Sequence, residues 1–406
     1  MKYDLIIIGG GAAGLFAASL VPSHASVLLL EQTDKLGQKL LLAGSGQCNV
    51  TNAKPISAFL AQYGDTGKLL RPILFPFSNL AFMEHLESKG FPLMVREDGK
   101  VFPKSLKSRD FVDFLIKEAK EKGVTLRPNS PVTTLSPLKE GGFFIGTEKH
   151  SYSGKNVLVA TGGLSFPKTG SNGSLLPCLT ALGITLTPLK PALCPVWVTN
   201  YPYAALSGIS FQDVKIAVSH LSEKKIKLQG PLLFTHNCLS GPTLINYSRN
   251  LEAGDSLHIN YLPHTDTITL AKTLTQNAQG KKASLLTFME QETRLPRRFL
   301  ECLLTLHCFD SQKKAATLSG AQFTKLATLL TADGFSVKNT GDFSQAMVTK
   351  GGVALEEIDL HTLSSRRYPG LYFAGEVLDV DGATGGYNLQ FAFSSGKKVI
   401  SSVFSG

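Results

Sequence analysis

The segment from Asp4 to Glu31 constrains this chain more than any other stretch. Asp4 to Ile8 reads as a strand whose apolar run, Leu5 to Ile8, is of the kind covered on both faces. Gly9-Gly10-Gly11-Ala12-Ala13-Gly14 follows at once, Leu15 to Leu20 begins a helix, and Ser26 to Leu30 is a second strand ending at Glu31. The order is strand, G-x-G-x-x-G turn, helix, strand. Gly9 allows the tight turn, and Gly11 lets backbone N–H groups approach a pyrophosphate. Gly14 lets the helix pack closely on the strand. Ala12 and Ala13 open the helix, whose N-terminus favours a phosphate. Glu31, with Gln32 beside it, stands about 20 residues on, where a carboxylate accepts ribose hydroxyls and repels a 2′-phosphate. These residues predict a dinucleotide site.

Composition sets the frame around that site. The chain has 406 residues, 43% hydrophobic and 18% charged, which provides for a sizeable core in two or three domains and excludes global disorder. Its 41 Lys and Arg against 31 Asp and Glu give a net charge of +10, which favours polyanionic partners: nucleic acid, phosphorylated cofactors or an anionic membrane surface. The surplus is spread between the middle of the chain and its flanks, so no RNA-binding stripe is legible. The 6 cysteines are scattered without a Cys-x-x-Cys pair, and Cys302 and Cys308 flank His307 with no further ligands at metal spacing. Reduced thiols and no structural metal are expected. Leu5 to Val21 is uncharged and mostly apolar, but its glycines cut it into a strand and a helix. No other stretch reaches membrane-spanning length, so a soluble, cytoplasmic protein is expected.

Further along, Ser78 or Asn79 can cap a helix ending near Gly90, and Asp98-Gly99 makes a hairpin turn before Val101-Phe102-Pro103. Ser108 can cap a helix from Arg109 to Lys122. Strands follow at Val124 to Leu126, Val132 to Leu135 and Phe143 to Thr147, and the sheet returns with Asn156 to Thr161. The character changes near Pro188 to Pro191. Short alternating strands such as Val214 to Val218 and Leu257 to Ile259 then suggest an antiparallel barrel. Thr267 to about Leu330 is helical in period, with Pro296 at a helix start and a capping box at Ser319 and Gln322. The expected organisation is a doubly wound α/β domain in two parts, 1–192 and 343–406. Between them lie a barrel, 193–265 with about 334–342, and a helical subdomain, 266–333.

Two distant segments choose between NAD and FAD. Val157 to Gly163 (VLVATGG) and Gly370 to Glu376 (GLYFAGE) resemble the second and third cofactor motifs of glutathione-reductase-type FAD domains. The resemblance implies that Ala160-Thr161-Gly162 supports an extended FAD and that Glu376, after Gly375, binds the ribityl chain in place of the commoner Asp. Gly37 to Asn52 (GQKLLLAGSGQCNVTN), Thr235 to Pro242 (THNCLSGP), Gly351 to Val353 and Gly375 to Gln390 (GEVLDVDGATGGYNLQ) are jointly more specific. They resemble the BaiN/RdsA-type NAD(P)/FAD-dependent flavoproteins over nearly the whole chain. That family has an FAD domain interrupted by a barrel and helices, and the resemblance adds Lys39, Val132 and Asp379 to the cofactor residues. Two positions depart from the family pattern: Gln47 stands where Arg is usual, and Cys238 where Gly is usual.

Reduced flavin is electron-rich at its pyrimidine edge, which calls for oriented N–H donors. Gly382 to Gly386 leads into the last helix, about Leu389 to Phe404, and Tyr387, Asn388 and Leu389 offer such donors. Asn49 and Thr51 are polar contacts from the other side, or turn residues of a loop. His236 is a candidate proton carrier. Cys48 is a second candidate, or a small buried thiol. No second strand–GxGxxG–helix unit exists, so NAD(P)H, if it is the electron donor, binds transiently in an open cleft. Three functions follow. The resemblance implies a reductase forming dihydrouridine in large-subunit rRNA, or a small-molecule enzyme acting on enones or amino ketones. The third is a non-catalytic flavin protein. Oligomeric state is left open.

Overall fold

The apolar run at the start of the chain forms the strand Lys2–Ile8, buried over its last four residues. The computed structural model describes residues 2–222 and 224–404. Lys2–Ile8 pairs in parallel with Val27–Leu30 on one side and Ser151–Val159 on the other. Thr125–Arg127 and Leu371–Phe373 extend this core, giving the order Leu371–Phe373, Ser151–Val159, Lys2–Ile8, Val27–Leu30, Thr125–Arg127. A strand from the end of the sequence therefore completes a sheet begun at its start. All four residues of Val27–Leu30 are buried, as expected of a parallel strand with both faces covered. Phe16 on the first helix meets Phe393 on the last at 5.1 Å, and Phe393 stacks on Phe82 at 4.6 Å. Burial of each such ring contributes about 1.5–3 kcal/mol.

One local reading changes. Ser108 does not cap its helix: the helix begins at Ser108 itself, and its Oγ donates to the Leu41 carbonyl at 2.8 Å. A tertiary acceptor outcompetes the local N–H. The segment around Pro188 and Pro191 is a strand, Leu186–Ala192, paired antiparallel with Val348–Val353 and shifted in register between Thr187 and Lys190. A two-stranded ribbon tolerates proline because each strand has a free edge.

Leu193–Asp342 forms a separate compact unit. Its antiparallel strands run in the order Trp197–Val198, Asp333–Asn339, Ser256–Asn260, Ser210–Ser219, Lys225–Phe234, Leu239–Ser240. Val196 and Leu239 exchange backbone hydrogen bonds of 2.8 and 2.9 Å, which bring the two ends of the sheet together into a nearly closed barrel. The helices Thr267–Asn277, Leu285–Thr293, Arg297–Leu306 and Gly320–Thr331 share one core with this barrel. Tyr203 stacks on Phe234 at 4.6 Å, and Phe299 meets Tyr261 at 4.7 Å. The capping box at Ser319 and Gln322 is present.

One carboxylate lies inside that aromatic core. Asp333 Oδ2 accepts from Tyr203 OH at 2.6 Å and Tyr261 OH at 2.8 Å. Burial pushes the Asp333 carboxyl above the usual carboxylate range, and the two phenol hydrogen bonds pull it partly back, as do His307 and His258 when charged. An acid with a raised folded value contributes stability below its unfolded pKa of about 3.9 and loses it as pH rises through the folded value. Asp333→Asn keeps the acceptor oxygen and removes the titration. Wild-type denaturation midpoints should therefore fall relative to those of Asp333→Asn as pH rises from about 4 towards neutrality. Parallel profiles would show that Asp333 does not titrate with unfolding.

Candidate functional site

The site grows from the carboxyl ends of the parallel strands. Gly9 N donates to Leu30 O at 2.8 Å, and the first helix starts at Ala12 with Gly11 as its N-cap. No side chain caps that terminus, and its first turn holds no acidic residue. A Cβ on Gly14 would lie 1.9 Å from Gly9 O, so packing demands glycine there. A Cβ on Gly11 would meet nothing within 4 Å. The protein itself places no demand on Gly11; the open space lies where backbone N–H groups and the helix dipole attract an anion. The residues present therefore fit a dinucleotide pyrophosphate.

Glu31 braces this turn. Its Oε2 accepts from Gly10 N at 2.8 Å, and its Oε1 accepts from Thr33 N at 2.8 Å and Thr33 Oγ1 at 2.9 Å. Both amide ends of Gln32 are engaged by the 170–174 loop: Nε2 donates to Gly170 O and Asn172 Oδ1, and Oε1 accepts from Ser174 Oγ. Ser130 N donates to Glu31 O and Asn129 N to Thr33 O, both at 2.8 Å, which seats the buried Val132 just beyond. Ala160 N donates to Ile8 O at 2.8 Å, and Ala160 O would lie 2.4 Å from a Cβ on Gly9. Ala160, Thr161 and Gly162 thus begin against the first glycine of the turn.

The third motif arrives beside them. Glu376 Oε2 pairs with Lys39 Nζ at 2.8 Å, while its Oε1 accepts from Ser165 Oγ at 2.8 Å and Thr349 N at 2.9 Å. Thr349 Oγ1 in turn accepts from Leu164 N at 2.7 Å and Ser165 N at 3.1 Å. Ser165 and Thr349 are fully buried, and neither was identified from sequence. They lie 184 residues apart, so no local pattern marks them. Asp379 Oδ1 accepts from Gly351 N at 3.0 Å, tying the Gly375 to Gln390 segment to the Gly351 motif.

At the start of the last helix, Tyr387–Phe404, the turn is fixed by side chains. Asn49 accepts from Gly386 N at 3.0 Å and donates to Thr51 O at 2.8 Å and Val101 O at 3.1 Å. Gly386 has φ +94°, and a Cβ there would lie 2.4 Å from Thr51 O, so only glycine fits. Asn388 Oδ1 accepts from Gly382 N at 2.7 Å, and Tyr63 OH donates to Tyr387 O at 2.8 Å. Leu389 packs against the main core. The Thr51 hydroxyl is spent inside the protein, donating to Gln390 Oε1 at 2.7 Å with both residues fully buried. Cys48 is also fully buried, at φ +61°, and burial pushes its thiol up to about 12. His236 belongs to the other unit, exposed between the strands Lys225–Phe234 and Leu239–Ser240. Cys238 Sγ lies 3.0 Å from Thr235 Oγ1, and burial raises its thiol as well.

A parallel sheet with an uncapped glycine turn, two further motifs at neighbouring strand ends and an antiparallel barrel inserted between the halves defines an oxidoreductase of the FAD-dependent flavoprotein class. The chain belongs to the HI0933-like protein Rossmann domain family, which matches residues 3–401. It is 31% identical over 402 residues to a ribosomal RNA dihydrouridine synthase of Escherichia coli, covering 97% of this chain and 96% of that protein. It is 30% identical over 401 residues to a 3-dehydro-bile acid delta(4,6)-reductase of Clostridium scindens, covering 96% of each. Among solved structures, 3-ketosteroid delta1-dehydrogenase from Sterolibacterium denitrificans shares the fold, with a TM-score of 0.50 at 12% identity over 99% of this chain and 100% of that one. Among the described residues, no helix is long and apolar enough to cross a membrane, and no group of three or more His, Cys, Asp or Glu is arranged to hold a metal.

Asn49 ties its loop to the start of the last helix through three hydrogen bonds. Asn49→Ala should destabilise the protein by about 1–3 kcal/mol, because it removes the side-chain partner of Gly386 N and Thr51 O, while Val101 O keeps Val50 N. Asn49→Asp, which accepts but cannot donate, should fall between wild type and Ala in chemical denaturation.

Proposed function

We propose that this chain binds FAD across the parallel sheet, takes electrons from NAD(P)H and reduces an unsaturated ring, the lead substrate being a uridine of large-subunit rRNA. The carrying observation is the near full-length similarity to a ribosomal RNA dihydrouridine synthase, and the net charge of +10 suits a polyanionic substrate. The N–H groups at Gly11, Ala12 and Ala13 would hold the pyrophosphate, and Glu31 a ribose. Lys39 and Glu376 would hold the ribityl side, and Tyr387, Asn388 and Leu389 would face the flavin edge. FAD, when bound, supplies hydride chemistry at its ring. With no second glycine-turn unit in the sequence, NAD(P)H would bind transiently.

Saturating the C5–C6 bond of uracil consumes a proton as well as a hydride, and the protein must deliver that proton. Cys48 is poorly suited, since its thiol has no exposed surface and is held neutral up to about pH 12. His236 is exposed and is our proton carrier. Reduction of a steroid enone is the second reading, favoured by the similarity of nearly equal extent to the bile-acid reductase.

Gly11→Trp isolates cofactor binding from folding. The indole meets no protein atom near its Cβ, so apoprotein melting should match wild type while FAD uptake is lost. A variant that still takes up one FAD per chain would overturn the proposed pyrophosphate site. The substrate is tested by mapping dihydrouridine in large-subunit rRNA of a strain lacking this protein. One modification should disappear and return with the wild-type gene, and His236→Gln should slow flavin reoxidation by rRNA fragments by roughly 10²–10⁴-fold. An unchanged map, with rapid reoxidation by a steroid enone, would replace the rRNA reading with the enone reading.

A further inference from the structure

Arg96 is exposed, yet it is held in one place. Its Nη2 donates to Gln47 Oε1 at 2.6 Å, and its guanidinium carbon lies 4.0 Å from the ring centroid of Phe102, a residue only 3% exposed. The backbone on either side is fixed too: Arg96 N donates to Lys100 O at 2.9 Å, and Gly99 N donates to Arg96 O at 2.8 Å. The carboxylate of this turn, Asp98, is already taken by Lys100 Nζ at 2.7 Å. Among the described residues no carboxylate forms an ion pair with Arg96; Asp98 feels its charge, but less than it feels its own hydrogen bond to Lys100. An arginine that spends one N–H on an amide and one face on an aromatic ring keeps an edge of parallel donors free, and little rotamer freedom remains to be lost on binding.

The loop holding Arg96 belongs to the candidate site. Gln47 sits two residues before Asn49, whose side chain grips Gly386 at the start of the last helix. Ser45, at the exposed tip of the same loop, has a left-handed φ of +56°, and Cys48 has +61°. Non-glycine residues held there store strain of the sort that clusters at ligand-binding positions.

We propose that Arg96, fixed by Gln47 and Phe102, is an oxyanion-binding position that takes a phosphate group of the molecule entering this site. The inference rests on the reading of the site as one that handles RNA or a phosphorylated nicotinamide cofactor. Either source offers the same chemistry: a phosphodiester of RNA, or the 2′-phosphate of NADPH. The amide of Gln47 matters because it orients the guanidinium without cancelling its charge.

The test uses FAD-loaded protein and a fluorescein-labelled, single-stranded, uridine-rich RNA followed by anisotropy at several salt concentrations. Two variants are compared with wild type. Arg96→Gln removes the charge, while Gln47→Glu keeps the contact and neutralises it. Each should weaken RNA binding by about tenfold and lower the salt slope by about 1. FAD occupancy, read by absorbance in the same samples, should not change. Competition by NADPH and NADH identifies the source. Stronger competition by NADPH, lost in Arg96→Gln, assigns the position to the 2′-phosphate; equal competition by both assigns it to the RNA backbone. Both variants binding RNA as wild type does, with NADPH preference unchanged, would overturn the proposal. So would wild-type protein that neither binds the RNA nor distinguishes NADPH from NADH. Failure of the wild type to retain FAD would instead count against the cofactor reading.

Discussion

The geometry of the cofactor half depends on backbone atoms approaching each other with no side chain between them. A Cβ on Gly14 would lie 1.9 Å from the Gly9 carbonyl, and one on Gly9 would lie 2.4 Å from the Ala160 carbonyl. The first helix, the first strand and the strand Ser151–Val159 are therefore locked together at their ends by contact that only hydrogen atoms permit. A helix drawn in this closely presents its first N–H groups to the space above the sheet. Gly11 keeps that space clear. Glu31 then fixes Gly10, and the 129–130 loop fixes Glu31 and Thr33. Each contact presupposes the one before it, so substitution at Gly14 would disturb the whole edge of the site and not one hydrogen bond.

What was legible in the sequence was local. The strand–turn–helix–strand unit, the Ser319 and Gln322 capping box and the alternating strands of the barrel each declare themselves within a few residues, where periodicity and turn chemistry act. What was not legible depends on distant partners. Ser165 and Thr349 become important only because Glu376 folds between them, and nothing in their own surroundings announces it. Ser108 has the chemistry of a cap and finds Leu41 O instead. Thr51 looks like a polar contact to the flavin or a turn residue of a loop, yet its hydroxyl is buried against Gln390. Sequence left two readings open for Cys48, and its full burial and raised thiol favour the structural one.

The inserted unit follows a different logic. Its barrel and helices are held by one apolar core in which Tyr203, Phe211, Phe234, Tyr261 and Phe299 pack ring against ring. Asp333 sits among those rings, and the two phenol hydroxyls directed at it meet the rule that a buried polar group must be hydrogen-bonded. A core shared in this way gives the helices little independence from the strands, because Phe299 on a helix and Phe234 on a strand bury the same surface.

Substrate choice cannot reside in the scaffold. The chain is about as similar to a protein named for ribosomal RNA as to one named for bile acids, over nearly the same length. It also shares its fold with a ketosteroid dehydrogenase at 12% identity. A fold shared by proteins with such different names leaves open what is offered to its site. Discrimination must come from side chains that can vary without loosening that frame. Arg96 meets this condition: it is exposed, among the described residues no carboxylate forms an ion pair with it, and it is anchored to a loop whose other end holds the last helix. Replacing such a residue alters which anions are attracted while the backbone contacts at Gly9, Gly14 and Ala160 stay intact. Specificity and cofactor geometry can thus change independently within one chain.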